Sequence, residues 1–390
     1  MRRERTRAGL DPEAKVNEMT EDRDVIVIGG GLVGSAIAFG LARLGKRVTV
    51  LDEGDVAMRA SRANFGLVWI QSKGLGLPDY TAWTKSAVEA WPDFAAALRE
   101  ISGLDVAYER PGGFLIALSD QEMQTRIDVM SKVCAQPGAP RLDYDIFDHD
   151  RTKAMLPALG PEVVGSIYCP LDGHVNSLRL FRALHASMKV LGVAYRSEHA
   201  VDRIVTERRG FRVSGKWGEI AAEKVVIAAG LSNQRLAAMA GIHAPVVPSK
   251  GQIIVTEKAA RFLEYPTGTI RQTDEGSVML GDSQESVGFD MTMSAPVNAV
   301  MAQRAVRTFP CIGSLNVVRM WTGLRVMSPD GFPIYQQSAT HPGAFVVTCH
   351  SGVTLAPSHA TTLADYIAGG ALPSAISAFS SERFDVSSAA

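Results

Sequence analysis

The sequence predicts a mixed α/β fold, with a Rossmann-like sheet interleaved with a second, mainly antiparallel sheet. Three observations carry that expectation. Residues 24–52 read in order as strand, glycine turn, helix, strand and acid. The chain has 390 residues, beyond the roughly 250–300 at which one hydrophobic core stops growing. Between Gly251 and Val326, β-rich runs (GQIIVTE, GTIRQ, SVMLG, VVRMWTGLRV) are separated by short turns, the signature of antiparallel strands.

The first element is Asp24–Ile28, a β-branched run that suits a strand buried on both faces. It feeds Gly29-Gly30-Gly31-Leu32-Val33-Gly34, a G-x-G-x-x-G, and then the apolar helix Val33–Leu44. Gly29 permits the tight turn, Gly31 lets a pyrophosphate approach the backbone, and Gly34 allows close helix–strand packing. The helix N-terminus presents free N–H groups and a positive dipole end to the phosphates. Arg47–Leu51 is the second strand, and Asp52 at its end stands where a ribose hydroxyl would be accepted. The eighteen uncharged residues Val25–Ala42 approach the length of a membrane span. Three consecutive glycines and the β-branched run before them argue for strand, turn and packed helix instead.

Composition narrows the remaining classes. Lys+Arg at 40 against Asp+Glu at 41 leaves no bulk field to attract nucleic acid or an anionic membrane. The cysteines (Cys134, Cys169, Cys311, Cys349) lie far apart with no Cys-x-x-Cys pair, so no metal site or iron–sulfur cluster is expected from this chain alone. Their scarcity fits a reducing cytoplasm. Residues 1–24 are mostly charged and lack an apolar h-region, so they do not read as a signal peptide. Met19 makes a natural start, and residues 1–18 are expected to be a dispensable part of a disordered extension covering 1–23.

Farther along, Tyr80–Ile101 reads as an amphipathic helix interrupted or kinked near Pro92, and Ala107–Arg110 with Gly113–Leu118 as a strand pair. Gln121–Cys134 and Leu178–Leu191 read as helices, with strands at His199–Thr206 and Phe211–Lys216. Lys224–Gly230 (KVVIAAG) is a buried strand ending in a small-residue turn, and Ala344–Thr348 is another, followed by Cys349-His350-Ser351-Gly352-Val353-Thr354-Leu355 and then a helix to Ile367. A helix beginning there would aim its N-terminal N–H groups at a flavin pyrimidine ring. Nicotinamide enzymes need only the first motif, so these two segments select flavin.

From about Asp24 to Gly370 the chain resembles the FAD-dependent D-amino-acid oxidase, glycine oxidase and sarcosine oxidase superfamily. The segments that carry the resemblance are DVIVIGGGLVGSAIAFGLARLGKRVTVLDEG, SRANFGLVWIQSKG, DGHVNSLRL, KVVIAAGLSN, KGQIIV, GLRVMSPDGFPI and CHSGVTLAP. SRANFGLVWIQSKG and the Trp83/Trp91 helix are most similar to the β-subunits of heteromeric opine (octopine/nopaline) and D-hydroxyproline dehydrogenases and hydrogen cyanide synthase relatives. The resemblance implies non-covalent FAD, with contacts at Gly29, Gly31, Leu32, Val33, Gly34, Asp52 and Glu53, and at Ser61, Arg62, Asn64, Phe65, Gly66 and Leu67. It extends them to Val201, Ala229, Gly230, Gly323, Arg325, His350, Ser351, Gly352, Val353, Thr354 and Leu355. It also implies a discontinuous FAD domain (24–78, 170–235, 341–372), a substrate domain (79–169, 236–340) and a tail (373–390).

Chemistry by resemblance is hydride transfer from the substrate Cα–H to flavin N5, with the imine hydrolysing to a keto acid and an amine. Arg325, in Gly323-Leu324-Arg325-Val326, stands where the family grips the substrate carboxylate, although Val326 replaces the usual proline; the bland reading is a salt-bridge arginine. His350 is read either as a cofactor or substrate contact that accepts a proton, or as a helix cap. Lys250 and Arg271 are pocket candidates whose bland reading is solvated surface charge, and His174 is structural or pocket-lining. Met279 stands where sarcosine oxidases carry an oxygen-activating lysine, and no cysteine lies near Gly323–Met327 for covalent flavin. A dehydrogenase that uses oxygen poorly is therefore expected, passing electrons to an α-subunit flavoprotein through an FMN at the interface and to a small iron–sulfur γ-subunit. The expected location is cytoplasmic, with peripheral membrane association. The rival readings are a stand-alone oxidase of glycine, sarcosine or D-amino acids, and a non-catalytic flavoprotein of an assembly.

Overall fold

A computed structural model describes residues 23–54 and 60–385. The proposed extension at residues 1–18 and the end of the tail lie outside these. The first strand, Arg23–Ile28, pairs in parallel with Val48–Leu51 on one side and with Gly218–Ile227 on the other. Ala194–Arg196 extends the sheet beyond Val48–Leu51, and Ala344–Thr348 extends it in parallel beyond Gly218–Ile227. The first strand is buried on both faces, as its unbroken apolar run requires. Val25 and Val27 point into one core with the helix Leu32–Arg43, while Ile26 and Ile28 point into another with Phe211, Val213 and Leu236.

The 25-residue helix Pro78–Ser102 continues through Pro92 and is not interrupted there. Trp83, Val88, Trp91 and Phe94 are buried on either side of the proline. Those residues share the core of the glycine-motif helix, which places the start of the expected substrate segment over the main sheet instead. The strand Ile334–Gln337 departs likewise: it forms a hairpin with Ala344–Thr348 and joins the main sheet.

The second sheet is antiparallel, in the order Ile270–Gln272, Ser277–Leu280, Val247–Lys258, Val317–Met327. One of its faces packs Ile254, Ile270, Val278 and Leu280 against Phe114, Phe309 and Met301, the last from the helix Ala295–Thr308. Val317–Met327 is an edge strand, and Val317, Val318 and Met320 on it are exposed. Gly113–Ala117 pairs with Gly165–Cys169 and not with residues 107–110. Gly112 at φ +100° and Ala107 at φ +52° turn that segment away, leaving a single bridge from Glu109 to His174.

Candidate active site at the sheet junction

The glycine turn works as its spacing requires. Gly29 has φ +106°, and a side chain there would strike the Ala228 backbone of the adjacent strand. A Cβ on Gly34 would collide with the Gly29 carbonyl oxygen, so helix and turn are in direct backbone contact. Asp52 is buried; its Oδ2 accepts the Gly30 N–H at 2.7 Å and its Oδ1 the Gly54 N–H at 3.1 Å. The expected ribose acceptor thus also holds the glycine loop in shape. Ser61 Oγ accepts the Leu32 N–H at 2.9 Å, placing a hydroxyl at the helix N-terminus where phosphates would lie.

A cavity of about 400 Å³ opens from this turn toward the second sheet. Of the expected cofactor residues, Gly29, Gly31, Leu32, Val33, Asp52, Glu53, Ser61, Asn64, Val201, Ala229, Gly230, His350 and Gly352 line it. The others lie beside it. Arg62 sits over the Phe181 ring, Leu67 pairs with His174, and a Cβ on Gly323 would strike Ala63. Val353 and Leu355 point into the core, and Thr354 Oγ1 accepts the Trp69 N–H at 3.2 Å. Gly34 acts through packing, and Phe65 and Gly66 lie against Arg271. The helix starts at Ala356 as expected, after a turn in which the Leu355 N–H donates to the Ser351 carbonyl at 3.0 Å. A cation stands there as well: Lys73 Nζ donates to Ser351 Oγ at 2.6 Å.

Sequence reasoning missed Leu324, Val326, Met291 and Cys349, all of which line the cavity. The first two flank Arg325, which does not itself line the cavity, so strand alternation reckoned from Arg325 pointed away from them. Met291 arrives from a loop with no such signal.

Arg325 is half-buried and has no strong ion pair. Its Nη1 donates to the Ser283 carbonyl at 2.7 Å and to that of Lys250 at 3.3 Å, and Asp282, largely exposed, lies 3.7 Å from Nη2. The salt-bridge reading is therefore weak. His350 opens onto the cavity and has no hydrogen bond among the described residues. His350 is exposed within the cavity, and the protein packed around it, with the charges of Lys73 and Arg325 behind it, pushes its pKa down, which favours the neutral imidazole. The helix Ala356–Ser358 has no side-chain cap, so His350 does not cap it.

Lys250 and Arg271 are both buried, against the expectation of solvated charge. Lys250 is committed: Nζ lies 3.2 Å from Glu285, 3.8 Å from Asp290 and 2.9 Å from the Thr292 carbonyl. Arg271 is not committed to any carboxylate; its Nε donates to the Phe65 carbonyl and its Nη2 lies 3.1 Å from Met279 Sδ. His174 is buried 3.5 Å from Glu109 with neither ring nitrogen hydrogen-bonded, and burial lowers its pKa.

Strand, glycine turn, helix and acid in one continuous backbone cradle fit a dinucleotide diphosphate, and the cavity runs from that cradle to the neutral His350. A family model described as FAD dependent oxidoreductase matches residues 24–366. The chain belongs to that family. It is 46% identical over 366 residues to an opine oxidase subunit from Rhizobium meliloti, covering 94% of this chain and 99% of that one. It is 47% identical over 361 residues to the corresponding opine oxidase subunit from Agrobacterium tumefaciens strain Ach5, covering 93% and 97%. The crystal structure of glycine oxidase from Geobacillus kaustophilus superposes with a TM-score of 0.83 at 25% identity, covering 93% of this chain and 98% of that one. The protein is thus an FAD-dependent oxidoreductase of α/β fold. Among its described residues, no helix is long and apolar enough to cross a membrane.

Proposed function

We propose that this oxidoreductase oxidises the C–N bond of a secondary-amine amino acid, of the opine (octopine or nopaline) or D-hydroxyproline kind, as the FAD-bearing β-subunit of a heteromeric dehydrogenase. The observation that carries the reading is Arg325, a half-buried guanidinium without a strong ion pair on the sheet beside the cavity, in a chain alike over nearly its whole length to proteins named as opine oxidase subunits. FAD, bound non-covalently along the glycine cradle, supplies the hydride acceptor at its N5.

The chain's own residues bind and orient. Arg325 takes the substrate carboxylate in a two-point grip, which fixes the Cα–H relative to the cavity floor. His350, its neutral form favoured by the surrounding protein and the nearby charges of Lys73 and Arg325, accepts a hydrogen bond or proton from the substrate amine, which must be uncharged for its C–H to leave as hydride. Loss of that hydride and of the N–H proton leaves an imine, which water splits into a keto acid and an amine. Ser61 and the glycine loop that Asp52 shapes hold the diphosphate end, while Lys73 on Ser351 brings positive charge to the other. Lys250 keeps the Glu285–Thr292 loop in place, and His174 lines the far side of the flavin loop.

The main sheet with its helices is the cofactor domain and the second sheet the substrate domain. The helix Pro78–Ser102 and the strand Ile334–Gln337 belong with the cofactor domain. The relatives' names, which mark them as parts of an assembly, support a partner: an α-subunit flavoprotein, with FMN at the interface, and a small iron–sulfur γ-subunit. We place the complex in the cytoplasm with peripheral membrane association. The expectation of poor oxygen use loses one support, because the guanidinium of Arg271 stands on the Met279 sulfur where no positive charge was foreseen.

Anaerobic mixing with a panel of secondary-amine amino acids tests the reading. Wild-type flavin should be reduced, and Arg325→Met should keep its FAD but require about 100-fold more substrate. Equal saturation in both proteins would overturn the role of Arg325.

A further inference from the structure

A carboxylate taken fully out of water normally stays charged against a cation, because an isolated buried anion is costly. Asp172 has no exposed surface, and among the described residues no cation lies within ion-pair distance of it. Burial pushes its pKa up to about 7, so the fold keeps an acid where an apolar residue would be cheaper. Its partners are two N–H groups of one segment: Oδ1 accepts the Ile70 N–H at 2.5 Å, and Oδ2 accepts Gln71 Nε2 at 2.6 Å. That segment continues from the flavin loop, and no step of the proposed chemistry uses Asp172.

The segment is held at close quarters. Leu67 pairs with His174 and Val68 with Gly173, and a Cβ on Gly113 would meet the Trp69 ring at 2.5 Å and Asp172 Cβ at 2.8 Å. Gln71 Nε2 also donates to the Gly113 carbonyl at 3.1 Å, while Gln71 Oε1 is buried without a hydrogen-bond partner. The chain then turns back: the Lys73 N–H donates to the Ile70 carbonyl at 3.0 Å, across Ser72 at φ +63°. Ile70 thus closes the turn with its carbonyl while Asp172 holds its N–H. The turn delivers the Lys73 ammonium to Ser351 Oγ at 2.6 Å, an oxygen that also accepts the Tyr80 hydroxyl at 2.9 Å. Lys73 has no carboxylate partner among the described residues. Its charge is felt at Cys349 and His350, both of which line the cavity.

We propose that Asp172 is a positioning residue: its carboxylate fixes the Ile70–Lys73 turn and so holds the Lys73 ammonium beside the flavin, where it raises the flavin's reduction potential. The inference stands whichever amine is oxidised. Reduction adds negative charge to a flavin, so a cation near the ring favours the reduced form. Without the carboxylate, the Ile70 N–H and the Gln71 amide lose their acceptors in a dry site, and the turn must shift to find others. Asparagine can serve in its place. Its Oδ1 accepts the Ile70 N–H, and the Gln71 amide turns over to offer its unpaired Oε1 to the new Nδ2.

Midpoint potentials of the FAD-loaded proteins test this, read from flavin absorbance against a reference dye at about pH 8, where Asp172 is ionised. Lys73→Met should make the reduction equilibrium about tenfold less favourable, a fall of about 30 mV for two electrons. That is the effect of a unit charge roughly 12 Å away at an effective dielectric constant of about 20. Asp172→Ala should lower the potential by a similar amount, and Asp172→Asn should not lower it. In the Lys73→Met background, Asp172→Ala should bring no further fall, because both changes act through one charge. If Asp172→Ala does not hold FAD, Gln71→Met strips the same clamp from its other side and takes its place in each comparison. A potential that rises with both alanine and asparagine would mark Asp172 as a bare charge and overturn the inference. So would an Asp172→Ala potential equal to that of wild type, an additive fall in the double variant, or a potential that Lys73→Met leaves unchanged. Failure of every amine to reduce the flavin, with these potentials as expected, would sink the amine reading and leave the positioning role standing.

Discussion

Replacing His359 with glutamine should flatten the acid limb of the stability profile. His359 is fully buried in the π-helical turn His359–Leu363. Trp83 Nε1 donates to the Tyr335 hydroxyl at 3.2 Å, leaving the Tyr335 proton to be donated to His359 Nε2 at 2.8 Å. The imidazole is then neutral with its proton on Nδ1, an atom with no hydrogen-bond partner. A second proton would create a buried, uncompensated charge, and burial alone pushes the pKa down to about 3. In the unfolded chain the ring titrates near ~6.5, so between these values the unfolded state holds one proton more than the folded one. Stability is therefore full above about pH 6.5 and falls as the pH drops below it, by about 1.4 kcal/mol per pH unit. From about pH 7.5 to about pH 5 the loss from this one ring is about 2 kcal/mol. Urea unfolding at saturating FAD, followed by tryptophan fluorescence at several pH values, reads it. His359→Gln can still accept from Tyr335, and should lose about 2 kcal/mol less than wild type over that interval. His350 and His174 act in the same direction but are present in both proteins and cancel. Parallel profiles for wild type and variant would refute the reasoning.

Two other substitutions probe the frame of the site. Gly34→Ala puts a methyl group on the Gly29 carbonyl; overpacking of about 1–3 kcal/mol outweighs a helix-propensity gain of about 1. The apoprotein should then bind FAD about tenfold more weakly or worse, and an unchanged dissociation constant would show that the close contact is not needed. Lys250→Met leaves Glu285 without its buried partner and should cost about 3 kcal/mol in unfolding experiments. The substrate KM should stay within about twofold; a large KM rise with unchanged stability would return Lys250 to the substrate site.

What was legible in the sequence was local. Gly29, Gly31 and Gly34 announce their roles because turn, helix start and packing contact all fall within six residues of chain. Arg325 was singled out as a candidate through its neighbours Gly323 and Leu324. The commitments of the other charges were not, because they are made across the fold. Lys250 meets Glu285 through a loop 35 residues away, and Arg271 meets Phe65 across two domains. Nothing within a few residues of either distinguishes a buried cation from a solvated one. The same distance hid Lys73, which reaches Ser351 over 278 positions of sequence. The helix Pro78–Ser102 shows the converse: its apolar face was visible, but which sheet it would cover was decided by Tyr335 and Thr354, whose hydroxyl and carbonyl take the indole N–H groups of Trp83 and Trp91.

The central claim is that this chain oxidises secondary-amine amino acids through a flavin beside Arg325. Anaerobic stopped-flow absorbance of the FAD-loaded protein tests it most directly. Wild type should lose its oxidised-flavin absorbance with secondary amines that carry a carboxylate and retain it with their esters, and Arg325→Met should need about 100-fold more amine for the same rate. Flavin that stays oxidised with every such amine, or that is reduced equally well by acid and ester, would contradict the account.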